Sequence, residues 1–248
     1  MRQSKGLAIV TGGSRGIGRG IVQRLAADGY HVLFTYLANQ VMADEVTAQI
    51  EANGGRATAI ACDLALPADI KTLFAKSDAL GEPLEVLISS AAMWELEPLE
   101  AITEDSFSRM VNINMGGPVF LSQGAAPRIC DGGRLIFISS TAARVASPAY
   151  VVYAMTKSAL AALVRALAVQ LGPRGVTVNG LAPGLTDTDL AAWLYSGDPK
   201  AISGAIAGTA LQRMGTPSDI ADAVSLLARE ESRWITGQII ECTGGLQL

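Results

Sequence analysis

The chain has 248 residues, of which 50% are hydrophobic and 17% are charged, and its formal net charge is −4. This length suits one domain with a substantial core, and the absence of a basic run argues against a nucleic-acid partner, because phosphate binding needs clustered lysine and arginine. No apolar run is expected to reach the length of a membrane span and the N-terminus lacks a long apolar signal segment, so we expect a soluble, cytoplasmic protein with no membrane partner.

Few residues are available for metal or hydrolytic chemistry. Cys62, Cys130 and Cys242 are odd in number and lack CxxC spacing, which argues against a disulfide framework and against a metal site. We interpret all three as buried small apolar residues. The single histidine, His31, is predicted to lie in a loop or at a strand edge, and the sequence contains no GxSxG elbow of the kind that hydrolases use.

Short apolar runs alternate with longer helical segments along the whole chain. Runs this apolar are typical of strands that are covered on both faces, as in a parallel sheet. The alternation predicts an α/β fold, a doubly wound parallel sheet of about seven strands with helices on both faces in a single domain, 1–248. A stretch rich in Gly, Ala and Ser, 186–212, is predicted to be a substrate lid. The predicted strands are 7–11, 31–36, 57–62, 84–89, 134–139, 176–181 and 237–242, and the predicted helices are 16–28, 40–52, 67–79, 103–127, 150–172 and 217–229.

The segment TGGSRGIG, 11–18, directly follows the first predicted strand and opens the first helix. Its glycines allow a sharp turn and a close approach to a diphosphate at a helix N-terminus, where free N–H groups favour anions. Because of this position we predict a nucleotide site, with plain turn chemistry as the alternative. The loop residues predicted to contact the cofactor are Gly12, Ser14, Arg15, Gly16, Ile17 and Gly18.

The end of the second predicted strand indicates which cofactor is bound. NAD sites carry an acidic residue there, whereas this chain has Tyr36 followed by Leu37. No carboxylate would repel a 2′-phosphate and Arg15 can neutralise one, so we predict NADP(H); the alternative is that Arg15 is a solvated loop charge and selectivity is mixed. Asp63, after the third strand, is predicted to accept a hydrogen bond from the adenine amino group, or else to be a helix-capping or loop residue. The adjacent Leu64 is also predicted to contact the cofactor.

The stretch AYVVYAMTK, 149–157, places two tyrosines on the helical face of one lysine. Tyr153 lies about 40° from Lys157 and roughly 6 Å away along the helix axis, whereas Tyr150 lies about 20° away but roughly 10 Å along the axis. Only Tyr153 is therefore a close neighbour of the lysine. Spacing alone does not decide whether either tyrosine does chemistry.

These motifs resemble the short-chain dehydrogenase/reductase family over essentially the whole length of the chain. The resemblance implies a Rossmann fold and hydride transfer between a nicotinamide and a carbonyl or alcohol, as in ketoreductases that act on 3-oxoacyl carrier proteins. The matching pieces are TGGSRGIG, Asn114 in VNINMGG, Ser140 in IFISS, the Y-x3-K pair of Tyr153 and Lys157, Pro183-Gly184 followed by Thr186 and Thr188, and the C-terminal ITGQIIECTGG.

The resemblance also implies a role for each of four residues. Tyr153 should donate the proton to the developing alkoxide, and Lys157 should lower the pKa of that phenol and bind the nicotinamide ribose. Ser140 should polarise the substrate carbonyl, and Asn114 should hold a water that relays protons to Lys157. The alternative is ordinary turn chemistry and surface packing.

One segment departs from the family pattern. Where the family usually has Asn-Asn-Ala-Gly, this chain has Ser89-Ser90-Ala91-Ala92. Serine offers fewer hydrogen-bonding groups than asparagine, and Ala92 adds a methyl group. The change bears on cofactor affinity and on the local backbone path, with Ser90 and Ala91 still expected at the cofactor.

The substrate pocket is predicted from positions after strand ends and in the lid. Apolar and aromatic groups suit a hydrophobic or ring-containing carbonyl compound, free or as a thioester, although the tryptophans are equally consistent with packing. Arg144 would meet a substrate carboxylate or a carrier phosphate, or else be a solvated loop charge. The candidates are Met93, Trp94, Arg144, Tyr150 and Trp193.

The sequence leaves two alternative functions open, and it also predicts that the chain forms an oligomer. Tyr150-x6-Lys157 fits the spacing of enoyl-thioester reductases, and the altered SSAA segment is compatible with a cofactor-binding protein without turnover. The helix predicted at 150–172 is apolar or small on nearly every face, which is typical of a helix buried all round. We therefore expect a homotetramer or homodimer, and the resemblance implies a four-helix contact that includes 103–127.

Overall fold

Seven strands in the described part of the chain form one parallel sheet: β1 Leu7–Val10, β2 His31–Tyr36, β3 Arg56–Ala61, β4 Leu84–Ser89, β5 Ile129–Ile138, β6 Thr177–Pro183 and β7 Ile239–Cys242. This computed structural model describes residues 5–145, 147–189, 203–204 and 206–247. The strand order is β3-β2-β1-β4-β5-β6-β7, and each neighbouring pair is parallel. The predicted doubly wound sheet is confirmed. Its order reverses between β1 and β4, which places a ligand crevice beyond their carboxyl ends.

Helices cover both faces of this sheet. They are α1 Gly16–Ala27, α2 Gln40–Ala52, α3 Pro67–Leu80, α4 Glu104–Val111, α5 Gly117–Ala125, α6 Val151–Leu171 and α7 Pro217–Ala228. Side chains alternate along a strand, so Leu7 and Ile9 join one hydrophobic cluster with α3, α5 and α6, while Ala8 and Val10 join the other with α1, α2 and α7. This alternation explains why the strands read as unbroken apolar runs.

Two predicted elements differ from the structure. The single helix predicted at 103–127 consists of α4, a π-helical turn at Asn112–Gly116, and α5. Such turns insert an extra residue and occur frequently at functional sites. The strand predicted at 134–139 begins earlier, at Ile129, and its register against β4 shifts between Leu84 and Val86.

One helical segment in the described residues, Val151–Arg174, is long and apolar enough to cross a membrane, so the expectation that no run has this length was wrong. Leu160, Val164 and Leu167 on this segment are buried against the sheet. Core helices of globular proteins commonly meet the same criterion, so the finding is weak support for a membrane span.

The histidine lies within hydrogen-bonding distance of two polar side chains, and the cysteines differ in how far they are buried. His31 is the first residue of β2, and its ring nitrogens lie 2.7 Å from Glu82 Oε1 and 2.9 Å from Thr58 Oγ1. Of the cysteines only Cys62 is buried, whereas Cys130 and Cys242 are partly exposed, so the expectation of three buried thiols was wrong for two.

Candidate active site

The loop between β1 and α1 has the backbone shape of an anion cradle. Gly12 and Gly16 have φ angles of 70° and 54°, which glycine adopts without strain. A Cβ on Gly18 would clash with the carbonyl oxygen of Gly12, so a larger residue would distort the turn. No side chain in the described residues caps the start of α1, which leaves first-turn N–H groups for an anion. The loop therefore fits a dinucleotide diphosphate, which its backbone and the adjacent Ser14 and Ile17 would hold.

The side of the cradle that faces β2 has the residues expected of a site that binds the 2′-phosphate of NADP(H). Arg15 is exposed at the start of α1, and Tyr36 ends β2, which is paired with β1. Leu37 follows Tyr36 and is 59% exposed. Neither Tyr36 nor Leu37 brings a carboxylate to this edge.

Thr11 joins the cradle to the altered segment after β4. Its Oγ1 accepts hydrogen bonds from the backbone N–H groups of Ser90 and Ala91, each at 3.0 Å. A Cβ on Gly12 would lie 2.9 Å from Cα of Ala91, so the two loops are in close contact. The sequence analysis missed Thr11, whose only signal was a hydroxyl residue at a strand end. This contact explains how the SSAA segment holds its path without the asparagine of the family.

Asp63 and Leu64 are engaged within the protein. Asp63 Oδ1 accepts from Ala65 N at 2.9 Å, which is the loop-capping alternative, and Asp63 N donates to Asp69 Oδ2 at 2.9 Å. Leu64 is 4% exposed and packs in the core beside Gly117. Its side chain therefore offers no surface to a ligand.

The segment after β6 returns towards the cradle. Pro183 ends β6, Gly184 N donates to Cys242 O at 3.1 Å, and Thr186 Oγ1 donates to Gly184 O at 3.0 Å. Thr188 lies next to Gly16, with Cγ2 3.5 Å from the position that a Cβ there would take. The sequence-predicted cofactor residues of β6 and of the first loop thus face each other.

The predicted catalytic residues converge beyond the carboxyl end of β5. Ser140 follows β5 and is hydrogen-bonded to the hydroxyl of Tyr153. Lys157 Nζ lies 5.6 Å from the centre of the Tyr153 ring and donates to Ile138 O at 2.8 Å. The Ile138 carbonyl was not foreseen, because a backbone acceptor leaves no mark in a sequence.

Burial, more than the interaction between the two side chains, shifts the pKa values of Tyr153 and Lys157. Burial raises the pKa of Tyr153 to about 12, against the opposing effect of the Ser140 hydrogen bond. Burial also lowers the pKa of Lys157 to about 8. The expectation that Lys157 lowers the pKa of Tyr153 was therefore wrong for the protein alone. The ammonium is directed at the Ile138 carbonyl and lies over the ring face, where its charge stabilises the phenolate oxygen less than burial destabilises it.

Asn114 braces the site through its side chain. It is buried in the π-helical turn, where Oδ1 accepts from Met93 N at 2.8 Å and Nδ2 donates to Met93 O at 2.8 Å and to Thr156 Oγ1 at 3.2 Å. The amide therefore ties the segment after β4 to α6, next to Lys157. Its predicted role in a water relay stays a prediction.

The predicted pocket residues divide into two groups. Met93 and Trp94 lie partly buried in the segment after β4, and the Tyr150 ring is edge-on to the Tyr153 ring with centroids 6.3 Å apart. Arg144 instead binds β7 and the tail that follows it: Nε and Nη2 donate to the Glu241 carboxylate at 2.6 and 3.0 Å, and Nη2 also donates to Leu246 O at 3.1 Å. Arg144 is thus an exposed side chain in an ion pair, and its predicted contact with a substrate carboxylate or a carrier phosphate stays a prediction. Trp193 and most of the predicted lid lie outside the described residues.

Comparison with known proteins identifies this arrangement. The profile of the family described as Enoyl-(Acyl carrier protein) reductase matches residues 12–247. The chain belongs to the short-chain dehydrogenase/reductase family. It is 35% identical to the short-chain dehydrogenase/reductase from Serratia marcescens, with a TM-score of 0.92 and 99% of each chain covered. This family membership makes the chain an oxidoreductase.

The relatives include ketoreductases. The angucycline C-6 ketoreductase LanV, solved with bound NADP, is 36% identical with a TM-score of 0.91, covering 98% of this chain and 96% of LanV. LugOII, which catalyses keto-reduction in lugdunomycin biosynthesis, is 39% identical with a TM-score of 0.92 and 100% of each chain covered. A hydroxynaphthalene reductase-like protein from Metarhizium brunneum is 35% identical over 96% of this chain and 94% of its own length.

Proposed function

We propose that this chain is an NADPH-dependent ketoreductase that converts a ring-containing ketone into a secondary alcohol. The observation that carries the proposal is the hydrogen bond between Ser140 and Tyr153, beside a buried lysine and beyond the strand ends that flank the cradle. The keto-reductions attributed to LanV and LugOII support the same reaction class.

The residues of the site have complementary tasks in this reaction. NADPH supplies the hydride when it is bound. Ser140 donates a hydrogen bond to the substrate oxygen as negative charge develops on it, and Tyr153 passes its proton to that oxygen. The ammonium of Lys157 lies close enough to favour the resulting phenolate, and its bond to Ile138 O fixes its position.

Enoyl-thioester reduction is the second candidate, because Tyr150 has the matching spacing and the family profile carries that description. Tyr150 precedes the first residue of α6, and its ring contacts that of Tyr153. Tyr153, however, is the tyrosine that shares a hydrogen bond with Ser140. This favours carbonyl reduction, with Tyr150 lining the substrate pocket.

Activity assays separate the candidate functions. We expect NADPH oxidation with bicyclic aromatic ketones and little with a crotonyl or longer enoyl thioester. The opposite preference would identify an enoyl reductase. Tight NADPH binding without turnover of either class would indicate a cofactor-binding protein.

Cofactor preference tests the assignment of Arg15. A charged contact to the 2′-phosphate should favour NADPH over NADH by roughly tenfold to a hundredfold in Kd. Titration by tryptophan fluorescence should show this preference and its loss in Arg15→Ala. Arg19→Ala is the matched control, because Arg19 lies one turn further along α1 and donates to Gln49 at 2.9 Å. Equal binding of the two cofactors by the wild type would contradict the assignment.

A further inference from the structure

Two buried polar side-chain atoms have no hydrogen-bond partner in the part of the chain that the structure describes: Arg134 Nε and Glu97 Oε2. The other guanidinium nitrogens of Arg134 donate to backbone carbonyls, among them those of Gly133 at 3.1 Å and Arg229 at 3.2 Å. Arg134 also lies towards the amino-terminal end of the sheet, where it pairs with Val86, away from the catalytic residues. Glu97 lies after β4, on the catalytic side.

The backbone around Glu97 determines which way its side chain points. Glu97 forms a parallel bridge with Tyr150, and its N–H donates to Ala149 O at 2.8 Å. Side chains of residues that lie side by side in such a bridge project from the same face. The Tyr150 side chain packs edge-on against Tyr153. The Glu97 and Tyr150 side chains therefore leave the bridge on the same face, and the Tyr150 ring on that face contacts the ring of the proposed proton donor.

A buried carboxylate oxygen without a donor is costly, because it has lost water and gained no replacement. Native proteins leave few such atoms, and those that persist call for a partner or a function. The sequence-predicted pocket residues Tyr150, Met93 and Trp94 are apolar or aromatic. A hydroxyl group on a bound ring compound would supply the missing donor.

We infer that Glu97 is a specificity-determining residue whose Oε2 accepts a hydrogen bond from a hydroxyl group of the ketone substrate. This rests on the proposed ketoreductase function and narrows it to hydroxylated aromatic ketones. A site built to bond a hydroxyl rejects the analogue that lacks it, because the buried acceptor is then left unpaired. A ketone whose hydroxyl group reaches the charged Glu97 acceptor should therefore have a kcat/KM roughly tenfold to a hundredfold higher than the analogue without that hydroxyl group.

The test compares α-tetralone with the set of isomeric ring-hydroxylated α-tetralones in the presence of NADPH. A hydroxyl group also changes the intrinsic reactivity of the carbonyl, so the readout is the change in relative kcat/KM between wild type and variant. We expect the ratio of kcat/KM for the best hydroxylated isomer to kcat/KM for α-tetralone to fall roughly tenfold to a hundredfold in Glu97→Leu. Glu97→Gln keeps an acceptor oxygen without the charge and should keep part of the preference. Glu100→Leu, an exposed glutamate three residues later, should keep all of it.

Thermal unfolding separates specificity from a structural role. Removing an unpartnered buried oxygen should leave the melting temperature of Glu97→Leu unchanged or raised, whereas a carboxylate that stabilises the loop would lower it. The inference is overturned if wild type and Glu97→Leu rank the ketones identically. If α-tetralone is reduced but the two proteins rank the ketones identically, the Glu97 inference fails and the ketoreductase proposal stands. Failure to reduce any ketone would overturn both the inference and the proposed function.

Discussion

Lys157 is buried in a site that disfavours the charged form of its side chain. Burial lowers its pKa from 10.5 to about 8, which corresponds to roughly 3 kcal/mol of unfavourable free energy for the charged form. The folded state binds this proton less tightly than the unfolded state does. The cost is therefore fully present below about pH 8 and disappears as the pH rises towards 10.5. A charge kept at this cost is consistent with a role in the reaction.

Replacing Lys157 by methionine should therefore stabilise the protein and inactivate it. At neutral pH we expect the free energy of unfolding to rise by about 1–3 kcal/mol, after the loss of the hydrogen bond to Ile138 O. The advantage should shrink as the pH rises from about 8 towards 10.5. Urea denaturation of wild type and variant at several pH values measures this. Lys71→Met, at an exposed position on α3, is the control, and a variant less stable than wild type at neutral pH would contradict the argument.

The two tyrosines differ in what the loss of a hydroxyl should do. Phenylalanine keeps the ring packing of each, so Tyr153→Phe should lower kcat by about 10²-fold or more, as expected for loss of a general acid, with NADPH binding little changed. Tyr150→Phe should alter KM more than kcat, because its ring lines the pocket. Steady-state kinetics with one ketone measures both. An inactive Tyr150→Phe beside an active Tyr153→Phe would instead favour enoyl reduction.

At the scale of elements, one hydroxyl joins the end of the first strand to the segment that follows the fourth strand. Thr11 is fully buried and its Oγ1 accepts from the N–H groups of Ser90 and Ala91. Thr11→Val keeps the shape but removes the acceptor, so we expect the free energy of unfolding to fall by about 1–3 kcal/mol and NADPH binding to weaken. Thr11→Ser retains the hydroxyl and should behave like wild type. Equal stability of the valine and serine variants, measured by urea denaturation, would show that the two N–H groups find other partners.

The sequence predicted those elements whose signal is local. Apolar runs marked every strand, and the glycines marked the cradle, because turn geometry requires them. The interruption between α4 and α5 could not be predicted, since Asn114 in the π-helical turn is fixed by Met93, which lies 21 residues away. Arg144 is likewise fixed by Glu241, 97 residues away, and an arginine with a distant partner looks the same in a sequence as a free one. Burial around Tyr153 and Lys157 is also a property of the folded chain, which is why the direction of the tyrosine pKa was mispredicted.

At the scale of the whole molecule, α6 presents an apolar stripe to the outside. Its inner side packs in the core, whereas Met155 is 57% and Val169 is 80% exposed, with the exposed Ala162 and Ala166 between them. The neighbouring helices add exposed apolar side chains at Phe107, Val119 and Phe120. Several exposed apolar side chains on neighbouring helices are typical of an interface. They support the proposal that this face meets a second copy of the chain, with α4, α5 and α6 contributing to a helical contact.

Assembly can be tested at the exposed end of that stripe. A glutamate at Val169 would place a charge in the contact between copies, where desolvation without a partner is unfavourable. Val169→Glu should therefore shift a wild-type tetramer or dimer towards smaller species in light scattering at micromolar concentration, with the circular dichroism spectrum unchanged. Gln170→Glu introduces the same charge at the next exposed position, where the wild-type side chain is already polar, and should assemble like wild type. A wild-type protein that is monomeric at this concentration would refute the proposed assembly. If Val169→Glu assembles like wild type, the contact between copies lies on another face of the molecule.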